Sequence, residues 1–182
     1  IDANLLDVTM EDLHDMPQQL YEGKITKLRE KTQGQLVIKE YPTASAHSGH
    51  FKSLMNELAL KKSFRPDVIF IDYLNICASS RFKGGNISSY FYVKAIAEEL
   101  RGLAVEFNVP IFSATQTTRT GYVSTDIGLE DTSESFGLPA TADFMFALIS
   151  NEELEALGQM KVKQLKNRYN DPSICLLYTS PS

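Results

Sequence analysis

Apolar residues recur at steps of three and four through Val93, Ile96, Ala97, Leu100, Leu103, Ala104 and Phe107, and this unbroken stripe predicts the clearest helix of the chain. Phe51, Leu54, Met55 and Leu58 repeat the spacing and predict another helix before it. Between and after these stripes lie predicted strands: Val68 to Ile71, an apolar run with no polar alternation, then Asn108 to Ala114 and the buried run Phe144 to Ile149. Such runs suit central strands of a parallel sheet covered on both faces. Nearer the start, Ile1 to Leu6 reads as the end of a helix, and Thr9 before Glu11 and Asp12 reads as a helix cap with an acidic first turn. A polar helix is predicted from Pro17 to Glu30, and a short strand at Leu36-Val-Ile38 is closed by Tyr41-Pro42. Residues 152–158 read as helical, and Met160 to Tyr169 as a strand carrying Lys161, Lys163, Lys166 and Arg168. There is no internal repeat and no low-complexity linker.

Strand and helix alternate, beginning with a β-α-β unit from Leu36 to Ile71, so an α/β fold is predicted. Right-handed crossovers restrict it to a doubly wound, mainly parallel sheet with helices on both faces. Asp72 ends the Val68–Ile71 run and so lies at a strand's carboxyl end, where open α/β sheets bind ligands. A carboxylate there either holds Mg²⁺ through water beside nucleotide phosphates or caps the next turn, and the run alone leaves both open. Gln116 follows the next strand, and Lys166 and Arg168 lie near the end of the last one. All four are therefore expected to converge at strand ends.

With 182 residues, 43% of them hydrophobic and 23% charged, the chain can bury one sizeable core. The net charge of −5 argues against a broad basic face for coating nucleic acid, yet leaves room for a few basic loops lining a channel. No apolar run approaches the roughly 20 residues that cross a bilayer, and no secretory signal opens the chain, so a soluble, intracellular context is expected. Cys77 and Cys175 have no CxxC spacing and read as reduced, structural thiols. His47 and His50 form an HxxH with no further ligands nearby, which disfavours a metal site. The chain starts without Met inside an apolar pattern, so an upstream element is expected. Its last residues, from Cys175 to Ser182, look foreign to the preceding pattern, like adapter-derived read-through. The expected organisation is one partial domain over 1–173 and a non-native tail over 174–182.

The segments Ile1-Asp-Ala-Asn-Leu-Leu-Asp-Val8, Asp72-Tyr-Leu, Val93-Lys-Ala-Ile-Ala-Glu-Glu-Leu-Arg101, Gly137-Leu-Pro-Ala-Thr-Ala-Asp-Phe-Met145 and Lys163-Gln-Leu-Lys-Asn-Arg-Tyr169 occur in one order and spacing. Together they resemble the RecA-like ATPase domain of DnaB-type replicative DNA helicases, most closely the T-even bacteriophage branch. The resemblance covers about residues 1 to 173. It implies a truncated P-loop NTPase core, with ATP and Mg²⁺ as cofactors, single-stranded DNA as partner and a homo-hexameric ring. A primase and a helicase loader are implied as further partners, in a phage replisome in the cytoplasm of a bacterial host.

Carried over by position, Asp72 is implied to be the Walker B aspartate that helps to hold Mg²⁺, and Gln116 the polar sensor of the γ-phosphate. Lys166 and Arg168 correspond to the basic pair that reaches a neighbouring subunit's nucleotide, with Arg168 as the arginine finger. Alternation along a strand puts both on one face. Their plainer reading is a solvated basic edge strand. Two loops are implied to face DNA: one with Arg81, Lys83, Gly84 and Gly85, the other running from Thr117 and Arg119 to about Asp131. Asp126, Glu130 and Asp131 make the second a poorer phosphate binder.

No G-x-x-x-x-G-K-[ST] occurs, and Gly23-Lys24 is followed by Ile25. The family's phosphate loop and catalytic glutamate would lie upstream of Ile1. The chain thus reads as a helicase fragment, inactive alone. A RecA-fold recombinase, a regulatory ATPase and a non-catalytic assembly module are the competing readings.

Overall fold

The computed structural model describes residues 1–82, 87–117, 128–129 and 137–170, together with the backbone of 178–181. The chain divides into two compact units, Ile1–Glu40 and Tyr41–Ser182.

The first unit is helical: α1 (Asp2–Leu6), α2 (Met10–Asp15) and α3 (Gln18–Lys31). Thr9 caps α2 as its sequence predicts, its side chain accepting from the Asp12 backbone N–H at 3.0 Å. Tyr21 on α3 donates its hydroxyl to Asp2 of α1 at 2.9 Å and ties the two helices together. Leu36 to Ile38 is not a strand. Leu36 and Ile38 are 64% and 65% exposed, and among the described residues no strand lies beside them to complete a ladder. The β-α-β unit expected to begin there is therefore absent.

In the second unit the parallel element is β1 (Ile69–Ile71), α5 (Ser89–Phe107) and β2 (Ile111–Ser113), preceded by α4 (Ser48–Lys62). The two strands pair in parallel with Ile69 opposite Ile111 and Ile71 opposite Ser113. The apolar stripe of α5 builds the core, in which Val93, Ile96, Ala97 and Leu100 pack with Leu74, Cys77 and Leu138, and Phe51 and Ile71 lean on that cluster. Asn108 adopts a left-handed conformation (φ 51°) and ends the helix, so β2 is shorter than the apolar run from Asn108 suggests. Among the described residues the pair is covered on the α5 face. Phe70 and Phe112 are 74% and 54% exposed and stack at 5.3 Å on the other face, because alternation turns them away from α5.

The remaining elements are α6 (Gly137–Thr141), β3 (Phe144–Ile149), α7 (Glu152–Ala156), β4 (Gln159–Asn167) and β5 (Tyr178–Pro181). Here the strands are antiparallel, in the order β3-β4-β5, which strand-helix alternation alone does not reveal. A bulge shifts the β3–β4 register between Met145 and Phe146, leaving Leu165 unpaired just before Lys166. Gly137 lets α6 approach α5 closely, since a Cβ there would lie 3.1 Å from the Tyr90 ring and from Lys94. No helix among the described residues is long and apolar enough to cross a membrane.

Candidate functional site

Parallel pairing puts the carboxyl ends of β1 and β2 side by side, and polar contacts join the segments that leave them. Ser113 donates its hydroxyl to the Ile71 carbonyl at 2.8 Å, and the Leu74 N–H donates to the Ala114 carbonyl at 3.2 Å. Thr115 donates to Asn75 Oδ1 at 2.9 Å, and Gln116 Nε2 donates to the Tyr73 hydroxyl at 3.3 Å. Asp72 stands between these links, exposed, with a cis peptide bond to Tyr73. Its carboxylate makes no hydrogen bond or ion pair with any described residue. The turn-cap role left open by the sequence is thus unfilled, and a strand-end carboxylate and amide face solvent together. Tyr73, next to Asp72 and hydrogen-bonded to Gln116, is given no role of its own by the sequence.

Among the described residues no three His, Cys, Asp or Glu side chains gather to hold an ion. An all-protein cage is therefore not built here. The donor set suits Mg²⁺, which keeps most of its water and takes one or two carboxylates together with phosphate oxygens. His47 and His50 have a different task. His47 Nδ1 accepts from the Gly49 N–H at 3.0 Å while His50 Nδ1 accepts from the His47 N–H at 3.3 Å, so the HxxH caps α4.

Lys166 and Arg168 form a second cluster that shares no partner with the first. Lys166 donates to the Pro139 carbonyl, and Arg168 Nη2 donates to the Ala140 carbonyl at 3.0 Å, so both side chains engage the same turn of α6. Arg168 Nη1 also pairs with Asp143 at 3.0 Å, and Arg101 of α5 reaches the same carboxylate oxygen at 3.1 Å. Burial, and then the nearby Arg168, lower the Lys166 pKa from its ordinary value. Asp72 and Gln116 follow the strands of the parallel pair, whereas Lys166 and Arg168 belong to the β3–β4–β5 portion, and no hydrogen bond or ion pair among the described residues joins the two pairs.

The segment between β1 and α5 is organised by a residue to which the sequence assigns no role. Glu99, on α5, accepts from the hydroxyls of Ser48 at 2.8 Å, Ser79 at 2.6 Å and Ser80 at 2.7 Å. It also accepts from the backbone N–H groups of Ser80 at 2.9 Å and Arg81 at 3.3 Å. Partial burial would raise its pKa, but the hydrogen bonds from Ser79, Ser80 and Ser48 outweigh it and hold the carboxyl at about 2. Arg81, one of the expected DNA contacts, is paired with Glu98 at 2.5 Å. Lys83, Gly84, Gly85 and Arg119 lie outside the described residues, as do Asp126, Glu130, Asp131 and Cys175. Cys77 is a buried free thiol, its pKa pushed up by that burial.

No protein-family model matches the chain. Over 174 residues, 94% of its length, it is 50% identical to a DnaB-like replicative helicase of Enterobacteria phage T4. It is a homologue of that protein and spans 37% of its length. Among solved structures, an ATPase domain aligns with 99% of the chain and 64% of its own length, with a TM-score of 0.75 at 17% identity. A DnaB-like replicative helicase, solved in a study of its interactions with primase, aligns with 98% of the chain and 42% of its own length, with a TM-score of 0.70 at 17% identity. The fold is that of these RecA-like ATPase domains.

Proposed function

We propose that the chain is part of the ATPase of a hexameric replicative DNA helicase, which couples ATP hydrolysis to movement along single-stranded DNA and to duplex unwinding. The observation that carries this reading is the Asp72 carboxylate, without a partner among the described residues, beside Gln116 at the ends of paired parallel strands, in a homologue of a phage replicative helicase.

In this reading Asp72 holds the water shell of Mg²⁺, and Gln116 donates its amide N–H to a phosphate oxygen. Bound Mg²⁺ would neutralise charge on the transferring phosphoryl group. Tyr73, hydrogen-bonded to Gln116, links the nucleotide state to the backbone of β1. Lys166 and Arg168 serve the neighbouring subunit's nucleotide, with Arg168 as the finger that stabilises developing charge in trans. That the two pairs belong to different sheets and share no hydrogen-bond partner among the described residues fits a site shared across a ring interface. Arg81, Lys83, Gly84, Gly85 and Arg119 contact single-stranded DNA through its phosphates, without reading bases. Primase and a helicase loader are the protein partners, in the replisome of a phage in its host's cytoplasm.

The test is ATP hydrolysis and unwinding by the full-length protein carrying this segment. Single-stranded DNA is expected to stimulate hydrolysis at least tenfold, and a forked duplex to be unwound only with hydrolysable ATP. Hydrolysis indifferent to single strands would count against the reading.

A further inference from the structure

Asp143 is the meeting point of two guanidinium groups. Its Oδ1 lies 3.0 Å from Arg168 Nη1 and 3.1 Å from Arg101 Nη2, while Arg168 Nη2 donates to the Ala140 carbonyl. The side chains are 41% (Arg101), 39% (Arg168) and 32% (Asp143) exposed, so each ion pair is weak and readily exchanged. A cleft of about 420 Å³ opens beside them between Arg101, Ala140 and Arg168, leaving room for a guanidinium to turn outward. To reach a phosphate on another subunit, Arg168 must leave Asp143. A carboxylate abandoned in a partly buried place would oppose that departure.

We propose that Arg101 is a positioning residue for the arginine finger: it keeps Asp143 paired when Arg168 leaves, so that the finger exchanges freely between its own Asp143 and the neighbouring nucleotide. The inference rests on Arg168 acting as the finger. Arg101 acts through Asp143 and Arg168. Without it Asp143 has, among the described residues, only Arg168 to pair with, and the finger is held back in its own subunit.

The experiment measures DNA-stimulated ATP hydrolysis by the full-length hexamer, with ring assembly and thermal unfolding checked for each variant. Arg101→Gln is expected to lower kcat by about two- to fivefold, the range a weak surface ion pair can supply, with KM for ATP within about twofold of wild type. Arg101→Lys keeps the charge and should retain more than half of kcat, which keeps the test decisive if Arg101→Gln fails to assemble. In Arg101→Gln/Asp143→Asn the neutral amide no longer retains the finger, and kcat should recover toward wild type. An unchanged kcat in Arg101→Gln, or a double variant worse than either single one, would overturn the inference. Arg168→Ala run in parallel separates the two claims. If Arg168→Ala turns over like wild type, the finger assignment fails; if it is inactive while Arg101→Gln is normal, only the role of Arg101 fails.

Discussion

Asp72 carries most of the chemistry assigned to this chain, and it was legible because it breaks an apolar run at a strand end. Its exposure, and its lack of partners among the described residues, mean that the fold does not depend on its charge. Asp72→Asn in the full-length protein should therefore lower ATP turnover at least 100-fold, while unfolding free energy stays within about 0.5 kcal/mol of wild type. Steady-state hydrolysis and denaturant unfolding check the two halves. A large stability loss would return Asp72 to a structural role. Glu99 and Asp143 were not legible in the same way. Glu99 draws its partners from 20 and 51 positions away, and Arg101 lies 42 positions from Asp143. Single-sequence spacing holds no trace of such pairings, and neither acid is given a role by the sequence.

Among the elements, α5 was read correctly because a stripe at steps of three and four has one stable solution, burial of that stripe. Leu36–Ile38 failed for the converse reason, since a strand exists only through its neighbour and composition cannot supply one. The antiparallel order of β3 to β5 was hidden likewise: residues 152–158 read as helical between two strands, and a five-residue α7 cannot return the chain to a parallel start. The packing of α5 against the preceding segment makes a prediction about pH. Glu99 is held at about 2 against an ordinary 4.5, so its stabilising effect is complete above about pH 4.5 and is lost as pH falls through about 2. Hydrogen exchange reads this locally, because the Ser80 and Arg81 amides donate to Glu99. At pH 7, Glu99→Gln should weaken their protection by about 2 kcal/mol, roughly 30-fold. That gap should close as pH approaches 2. Equal protection in both proteins at pH 7 would contradict the assignment.

At the scale of the whole molecule, the division of the site residues into two clusters matters most. Asp72 and Gln116 follow the strands of the parallel pair, Lys166 lies on the antiparallel sheet with Arg168 just beyond it, and no hydrogen bond or ion pair among the described residues joins the two clusters. In the proposed function one cluster serves metal binding and the other cationic stabilisation. A ring of copies joined head to tail would bring one subunit's first cluster to its neighbour's second. The RecA-like class was legible from the order of strands, helices and motif segments, and the structural neighbours bear it out. How the two clusters would divide the work was not, because in the proposed ring the subunit interface lies outside any single chain. The most direct test mixes full-length Asp72→Asn and Arg168→Ala subunits, each inactive by itself. If the site is shared, interfaces that pair an intact Asp72 with an intact Arg168 re-form, and DNA-stimulated ATP hydrolysis returns to about a quarter of wild type in equimolar random rings. Mixed rings as inactive as either parent would show that Arg168 does not complete a neighbour's site.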